Sequence, residues 1–291
     1  MPTAPERSVY LNGEFLPLSE AKVSVLDRGF IFGDGIYEVI PVYGGRLFRL
    51  PQHLQRLDQN LAKVHMQNPL SHVQWQQLLE ELVQRNGGGE QSLYLQLTRG
   101  AAPRDLSIPA DAVPTLFVMS SPVGEVDVTM LRRGLRAITV EDIRWQHCDI
   151  KTISLLPNVL LRRHADEAGV DEAIIVREGE VTEGSASNLF VVHQGVVSTP
   201  PKGPQLLPGI TRDLVVELCG RLGVQCEERR IDEQALLEAD EIWLTSSSRE
   251  IMPLIELNQQ PLANGQPGPI WERVISHYQA YKQAFREGRE E

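Results

Sequence analysis

Lysine is scarce in this chain, and one lysine lies in an unusual context. Of the 28 Lys and Arg residues only five are lysines, and Lys151 lies in I-K-T-I-S-L-L, residues 150–156, which alternates before it becomes apolar. Burial of the ammonium group would lower its pKa and make the amine available as a Schiff-base nucleophile or a general base. A lysine on a half-exposed strand fits the same pattern, so both interpretations stay open. The other lysines lie in polar segments, where we expect solvated ammonium groups: Lys22, Lys63, Lys202 and Lys282.

A short polar segment precedes an apolar strand in the second half of the chain. Residues 182–188 read T-E-G-S-A-S-N, and L-F-V-V-H follows at 189–193. Small residues let a ligand approach the backbone, and the Glu183 carboxylate could accept a hydrogen bond from a protonated ring nitrogen. A surface turn with a solvated glutamate explains the segment equally well.

Two further segments could bind a phosphate group. In L-P-G-I-T-R, residues 207–212, a helix begins near Thr211, which we predict as its N-cap, and the free N–H groups of a helix start can bind phosphate. The segment T-S-S-S, residues 245–248, follows a predicted strand and offers hydroxyl groups. Neither segment is a Walker sequence, and either could be only a helix cap or a turn.

Charge and motif spacing exclude several classes of function. The chain has 39 acidic and 28 basic residues and a net charge of −11, which disfavours nucleic acid and membrane surfaces as partners and fits a small-molecule ligand. His147 and Asp149 have no third metal ligand nearby in sequence, so we expect no metal. Gly33-Asp34-Gly35 lacks the rest of the dinucleotide fingerprint, so we expect a turn there and no nicotinamide cofactor.

The cysteines and the first residues of the chain indicate the cellular compartment in which it acts. Cys148, Cys219 and Cys226 are odd in number and lack C-x-x-C spacing, which predicts reduced thiols and no disulfide framework. Residues 1–7 are polar, and no apolar run approaches the length of about 18 residues that a membrane helix needs. We therefore expect a cytoplasmic enzyme.

Turn signals and periodicity predict the elements of the first half. Asn12-Gly13 and Gly44-Gly45 are typical two-residue hairpin turns. Ser71 and Gln74 form a capping-box pattern, which predicts the start of a helix that ends at the glycines of 87–89. The other predicted elements are strands at 9–11, 14–18, 38–43, 46–50, 93–97 and 115–119, and a helix that follows Pro51.

The second half begins after a predicted domain boundary. Pro122 and Gly124 precede a new apolar strand at 135–140, so we place a linker at 123–130 between domains of residues 1–122 and 131–291. Gly169 and Gly223 each follow a helix, as a left-handed C′ position requires. The predicted elements are strands at 172–176, 189–193 and 241–245 and helices at 158–168 and 211–222. Together they indicate a mixed α+β class.

Six motifs in order along almost the whole chain resemble the fold-type IV pyridoxal-phosphate enzymes. The resemblance rests on Asp27-Arg28-Gly29, the stretch F-G-D-G with Y-E at 32–38, H-L-Q-R-L at 53–57, Lys151, Thr182-Glu183-Gly184, and L-P-G-I-T-R at 207–212. It implies two domains, a small N-terminal α/β domain and a larger, β-barrel-like C-terminal domain with helices. It also implies pyridoxal 5′-phosphate as the cofactor and a homodimer.

The resemblance assigns roles to particular residues. Lys151 would form the Schiff base with pyridoxal phosphate and move the Cα proton of the substrate, Glu183 would hold the pyridine nitrogen protonated, and Arg56 would bind the phosphate. Tyr37 and Arg104 would contact the substrate. The remaining implied cofactor contacts are the backbone around Leu207 and Gly209, the N–H groups of Ile210 and Thr211, and the hydroxyls of Ser246 and Ser247.

Within the family, V-E-D-I-R-W at 140–145 and C-D-I-K at 148–151 look most like the D-amino-acid transaminases. That resemblance implies ping-pong transfer of an amino group between a D-amino acid of the D-alanine or D-glutamate type and a 2-oxo acid. In that group an Arg-x-His pair binds the substrate carboxylate across the dimer interface, but this chain has Arg104-Asp105-Leu106. The leucine would weaken carboxylate binding, which could broaden the substrate range, shift it to another amino acid, or transfer carboxylate binding to Arg99 or Arg28.

Other functions on the same scaffold stay open. An L-branched-chain or an (R)-amine transaminase would share the cofactor residues and differ only in its substrate pockets. An aminodeoxychorismate lyase would release pyruvate without needing an amino acceptor. A non-catalytic pyridoxal-phosphate-binding protein is the rival from another class, and the joint presence of Lys151, Glu183 and Arg56 argues against it.

Overall fold

The computed structural model describes residues 6–124 and 128–290, which divide into two compact units. The N-terminal unit comprises the residues up to 124 together with 150–154 and 284–290, and the C-terminal unit comprises 128–149 and 155–283. The segment that carries Lys151 therefore belongs to the N-terminal unit, although the chain before and after it builds the other unit. Part of the predicted linker, residues 125–127, lies outside the described residues, and the division at 123–130 stays a prediction.

The N-terminal unit contains an antiparallel six-stranded sheet. Its strands are β1 (Ser8–Leu11), β2 (Glu14–Pro17), β3 (Gly35–Tyr43), β4 (Arg46–Leu47), β5 (Gln91–Thr98) and β6 (Thr115–Pro122), in the order β2-β1-β6-β5-β3-β4. Both predicted hairpins are confirmed, since β1 pairs with β2 and β3 pairs with β4. The predicted strand 46–50 is wrong beyond Leu47, because Arg49 adopts a left-handed φ of 55° and a helix begins at the next residue.

Helices cover the sheet of this unit and complete its core. They are α1 (Arg28–Phe32), α2 (Leu50–Lys63) and α3 (His72–Arg85). The core contains alternate leucines of β5 and the apolar stripes of α2 and α3, which confirms the predicted periodicities. The capping box is also confirmed: the Ser71 hydroxyl accepts from the Gln74 N–H, and the Gln74 side chain accepts from the Ser71 N–H.

The C-terminal unit contains a larger mixed sheet. Its strands are β7 (Leu135–Glu141), β8 (Glu172–Arg177), β9 (Glu180–Gly184), β10 (Asn188–His193), β11 (Val196–Thr199), β12 (Cys226–Glu228), β13 (Ile231–Asp232), β14 (Glu241–Ser246), β15 (Glu250–Leu257) and β16 (Gln260–Pro261). The order is β12-β11-β10-β14-β15-β7-β8-β9-β13, and β16 pairs with β15. The helices are α4 (Val128–Leu131), α5 (Leu156–Glu167), α6 (Ile210–Arg221), α7 (Glu233–Leu237) and α8 (Pro269–Arg286), whose last three residues belong to the N-terminal unit.

The connection between β9 and β10 shows that this sheet is strongly curled. Four strands separate β9 from β10 along the sheet, yet only residues 185–187 join them. In a flat sheet the two strands would be about 24 Å apart, at about 4.8 Å per strand. A three-residue link spans at most about 14 Å. The sheet therefore bends back until β9 approaches β10, which confirms the mixed α/β class and the barrel-like second domain.

Two local predictions in this unit are wrong, and two are confirmed. Helix α6 begins at Ile210 with Gly209 as N-cap, so Thr211 lies in the first turn and is not the cap. Lys282 is only 3% exposed, because it pairs from α8 with the buried carboxylate of Glu250. Gly169 and Gly223 adopt the expected left-handed φ, at 68° and 65°.

Ser71→Ala tests the capping box of α3. We expect the free energy of unfolding to fall by about 1 kcal/mol, because the variant loses the side-chain acceptor for an unpaired N–H of the first turn. Ser71→Asp is the matched control, since aspartate also caps, and it should retain most of the stability in urea unfolding. Equal stability of Ser71→Ala and the unmodified chain would contradict the assigned cap.

Candidate active site

The segment 150–154 is held along β3 by backbone hydrogen bonds. The Tyr37 N–H donates to the Lys151 carbonyl over 3.0 Å, the Ile153 N–H donates to the Gly35 carbonyl over 3.0 Å, and Ile36 bridges Thr152. A Cβ on Gly35 would lie only 2.8 Å from Cδ1 of Ile153, which belongs to this segment, and 2.7 Å from the Leu97 carbonyl of β5. The missing side chain thus permits the close packing that places Lys151 beside the start of β3.

Lys151 lies against an aromatic ring in the N-terminal unit. Its Nζ is 4.2 Å from the centre of the Tyr37 ring, a distance at which a cation interacts with the ring face. Tyr37 stacks on Tyr94 with 5.6 Å between the ring centres. Lys151 is half-buried, so the structure places it between the two interpretations of its sequence pattern. The stacked tyrosines fix the surface on which the amine lies.

Glu38, the next residue of β3, anchors a buried charged network with α2. Arg56 donates from Nε to Oε1 of Glu38 over 2.8 Å and from Nη2 to Oε2 over 2.7 Å, and His53 Nδ1 lies 2.8 Å from Oε2. Burial by itself would raise the pKa of Glu38, but the charge and hydrogen bonds of Arg56 and His53 hold it well below its ordinary value. Burial also lowers the pKa of His53, and the hydrogen bond to Glu38 offsets only part of that effect.

The residues predicted for the substrate carboxylate lie in different surroundings. Arg104 and Leu106 are exposed, Leu106 to 82%, and the guanidinium of Arg104 lies 5.7 Å from the centre of the Phe32 ring. The alternatives Arg28 and Arg99 are buried, and the Nε of each donates to Oδ2 of Asp34 over 2.8 Å. Of these three arginines, Arg104 therefore has the guanidinium group that is most accessible to solvent.

In the C-terminal unit, Glu183 lies near the end of β9 as a buried carboxylate with several donors. Arg144 donates from Nη1 to Oε1 over 2.5 Å, and the Leu207 N–H donates to Oε2 over 3.1 Å. Burial raises the pKa of Glu183 to about 7, because the Arg144 charge and these hydrogen bonds compensate desolvation only in part. A further positive group beside this carboxylate would favour its ionised form.

Arg144 is itself fixed by a second buried carboxylate. It donates from Nε to Oδ1 of Asp142 and from Nη2 to Oδ2, both over 3.0 Å. Arg177 also pairs with Asp142, at 2.8 Å. Burial opposes the Asp142 charge, but Arg144 and Arg177 lower the pKa of that carboxyl below its ordinary value. Arg144 thus presents a fixed guanidinium to Glu183.

Asn188 connects Glu183 to the start of α6. Its Nδ2 donates to the Leu207 carbonyl over 2.8 Å and to Oε2 of Glu183 over 3.3 Å. A Cβ on Gly209 would lie 1.9 Å from Oδ1 of Asn188, so this position requires glycine. The first helical bond of α6 runs from Asp213 N–H to Gly209, which leaves the N–H groups of residues 210–212 without an acceptor in the helix.

The predicted serines lie beside the same part of the C-terminal unit. Ser246 ends β14 and Ser247 lies in the turn that leads to β15. The preceding residue, Thr245, pairs with Asn188 in the sheet, and its buried Oγ1 makes no hydrogen bond within the described residues. Glu250 closes the turn with φ of 57°, and Lys282 pairs with its carboxylate at 2.6 Å. Thr245 and the residue before α6, Gly209, therefore both lie beside Asn188.

The structure brings the predicted residues into two sets. The N-terminal unit holds Lys151, Tyr37, Arg56 and Arg104, and the C-terminal unit holds Glu183, Leu207, Gly209, Ile210, Thr211, Ser246 and Ser247. Sequence reasoning assigned no role to Glu38, Arg144 or Asn188, although each lies inside a motif that it singled out. Within the described residues there is no group of His, Cys, Asp or Glu side chains that could hold a metal ion, and no helix has the length and apolar character to cross a membrane.

Residues 35–257 match the family described as Amino-transferase class IV. The chain belongs to the class IV aminotransferases. The match covers both sets of residues and the segment between them, so the predicted family and enzyme class are confirmed.

Two relatives of this aminotransferase are named D-alanine aminotransferase. One, from Bacillus licheniformis, is 40% identical over 266 residues, which are 91% of this chain and 94% of that protein. The other, from Staphylococcus aureus (strain N315), is 37% identical over 273 residues, which are 94% of this chain and 97% of that protein.

A solved structure also resembles this aminotransferase. The T.th. branched-chain amino acid aminotransferase, solved with pyridoxamine 5′-phosphate, has a TM-score of 0.90 and 27% identity. The match covers 99% of this chain and 96% of that chain. The fold predicted from the motifs is therefore found in a solved relative.

Glu38→Gln tests the buried network of the N-terminal unit. At pH 7 we expect the free energy of unfolding to fall by about 3–5 kcal/mol, because the variant leaves the Arg56 charge buried without its partner. Since the folded pKa of Glu38 is lowered, its contribution is present above the ordinary value of 4.5 and is lost as the pH falls below it. The stability difference in urea unfolding should therefore shrink in acid.

Glu81→Gln is the control for this prediction. It removes an exposed pair with Arg85, and we expect a change below about 1 kcal/mol. A Glu38→Gln protein no less stable than this control at pH 7 would show that the Glu38 network does not hold α2 on β3.

Proposed function

We propose that this chain transfers an amino group between a D-amino acid of the D-alanine or D-glutamate type and a 2-oxo acid. The observation that carries the proposal is the similarity to relatives named D-alanine aminotransferase, at 40% and 37% identity over more than nine-tenths of the chain. A single shared motif would fit many chemistries, whereas a match of this extent includes the residues around Lys151 and Glu183.

Pyridoxal 5′-phosphate is the cofactor we propose, and the donor set of the C-terminal unit fits it. The unpaired N–H groups at Ile210 and Thr211 and the hydroxyls of Ser246 and Ser247 suit a phosphate. The buried, unpartnered Oγ1 of Thr245 lies next to them. Glu183 is a buried acceptor for a protonated ring nitrogen, and the backbone at Leu207 and Gly209 completes the cradle around Asn188.

The N-terminal unit would supply the amine and a further cation. Lys151 would bond the cofactor. Arg56 would contact the phosphate while it keeps Glu38, because a guanidinium has five N–H donors and can serve more than one anion. Tyr37 would present its ring to the substrate beside Lys151.

The proposed chemistry assigns each proton to an atom. When bound, the cofactor ring delocalises the electron pair that remains after the Cα–H bond of the substrate breaks. Lys151 Nζ accepts that proton as general base and later donates it as general acid. The ring face of Tyr37 stabilises the ammonium form of Lys151 in between, and Arg144 keeps Glu183 oriented.

A branched-chain substrate is the second candidate. The solved relative with a TM-score of 0.90 is named a branched-chain amino acid aminotransferase, and Leu106 replaces the histidine that the D-amino-acid pattern implies. The two candidates differ in the handedness of the donor they accept.

A second copy of this chain is the partner we propose for the N-terminal unit. Two segments of that unit lie side by side, since Ala102 N–H donates to the Leu26 carbonyl and Asp27 bridges Ala101. They expose large apolar side chains, which are costly to leave in water. These side chains are Val23, Val25, Leu26, Phe30, Leu106, Ile108 and Val113.

The cytoplasmic location stays a prediction.

The visible absorbance spectrum of the purified holoenzyme tests cofactor and handedness together. We expect a band of the lysine-bound cofactor that is lost on addition of D-alanine and persists with L-alanine. Lys151→Ala should lack that band and lose at least about a hundredfold in kcat, because the general base is gone. Lys22→Ala, which removes an exposed lysine, is the matched control and should keep both the absorbance band and the kcat of the unmodified chain.

Other outcomes of this experiment are equally informative. Loss of the band with L-leucine and not with D-alanine would favour the branched-chain candidate. A Lys151→Ala protein with normal turnover would contradict the proposed role of Lys151, and a chain that binds the cofactor without turning over any amino donor would contradict transamination.

A further inference from the structure

Two cysteines of the C-terminal unit lie on neighbouring elements, helix α6 and strand β12. Cys219 lies in the last turns of α6 and is fully buried, and Cys226 is the first residue of β12 and is half-buried. Their sequence positions gave no reason to expect contact, because the spacing is not C-x-x-C. The two thiols nevertheless influence each other, because each shifts the pKa of the other.

Contacts between α6 and β12 hold together the helix face and the strand face that carry the two cysteines. Arg212 and Cys219 are two helical turns apart and therefore lie on one face of α6, and Cys226 and Glu228 lie on one face of β12. Arg212 donates from Nη2 to Oε2 of Glu228 over 2.6 Å, which ties these two faces together. The chain between them is a tight turn, with Gly223 at φ 65° and the Val224 N–H donating to the Cys219 carbonyl over 2.9 Å.

The surroundings make the two thiols chemically unequal. The hydrogen bond from Cys219 lowers the pKa of Cys226, and the Arg212 charge acts in the same direction. The same hydrogen bond and burial raise the pKa of Cys219. The more exposed sulfur is therefore the better nucleophile, and the buried sulfur keeps its proton until a partner is formed.

We propose that Cys219 and Cys226 form a redox-modification site, at which a peroxide converts the two thiols into a reversible disulfide. The Cys226 thiolate attacks one oxygen of hydrogen peroxide, which breaks the O–O bond, releases hydroxide and leaves a sulfenic acid on Cys226. The sulfur of Cys219 then attacks that sulfur, the S–S bond forms, and the hydroxyl group leaves as water with the Cys219 proton. In sum two thiols lose two hydrogen atoms, and the peroxide is reduced to two waters.

The crosslink would join the last turns of α6 to the start of β12. Cys148 offers a contrast within the same unit, because its thiol donates to the Trp145 carbonyl over 3.2 Å. Arg177 donates to the Cys148 sulfur over 3.7 Å, but burial outweighs the nearby guanidinium groups and raises the pKa of this thiol, which disfavours the thiolate that attacks peroxide. The site is separate from the residues proposed for catalysis.

Peptide mapping of the peroxide-treated holoenzyme tests this inference. After treatment with hydrogen peroxide and alkylation of the remaining thiols, we expect one peptide pair that links Cys219 to Cys226, which dithiothreitol separates. Cys148→Ser should give the same pair. Cys219→Ser should instead leave a sulfenic acid on Cys226 that dimedone traps, because the second thiol is missing.

Two results would overturn the proposal. One is recovery of Cys219 and Cys226 as separate alkylated thiols in the unmodified chain under conditions that oxidise free glutathione completely. The other is a crosslink or oxidised sulfur that maps to Cys148 while the pair stays reduced. The mapping of the unmodified chain and of Cys148→Ser decides the question even if Cys219→Ser does not fold.

Discussion

Three residues join β9 to β10, and this short connection constrains the C-terminal unit. Because four strands lie between these two along the sheet, the sheet must curl until their ends meet. The end of β9 carries Glu183 and the start of β10 carries Asn188, so the short link brings an acidic and an amide side chain together. Asn188 in turn holds the chain before α6, and the donors at the start of that helix depend on the same connection.

Two buried carboxylates show how the hydrogen bonds and charges around a carboxyl group set its pKa. Glu38 meets a guanidinium with two of its nitrogens and an imidazole, and its pKa lies far below the ordinary value. Glu183 meets one guanidinium that is already shared with Asp142, and burial raises its pKa to about 7. The first network is electrostatically complete and stabilises α2 on β3. In the second network burial disfavours the charge of Glu183, and the cofactor proposed above would place a protonated ring nitrogen beside this carboxylate.

Local signals predicted much of the fold, because turns and caps depend on neighbouring residues. Asn12-Gly13, Gly44-Gly45 and the Ser71 capping box each formed as their residues indicate. Contacts between residues that are far apart in the sequence could not be predicted in this way. The sequence around Lys282 predicts a solvated ammonium group, but its partner Glu250 is far away along the chain. Thr211 was predicted as the N-cap of α6, but the N-cap is Gly209, which packs on Asn188. The family motifs located Lys151 and Glu183, whereas the supporting roles of Arg144 and Asn188 appear only once the sheet has curled.

The central claim is that this chain moves amino groups between D-amino acids and 2-oxo acids, and its most direct test is chiral analysis of the products. The holoenzyme is supplied with D-alanine and 2-oxoglutarate, and pyruvate and both enantiomers of glutamate are quantified. The account predicts pyruvate and D-glutamate in equal amounts. Formation of L-glutamate, or of pyruvate without any glutamate, would contradict it.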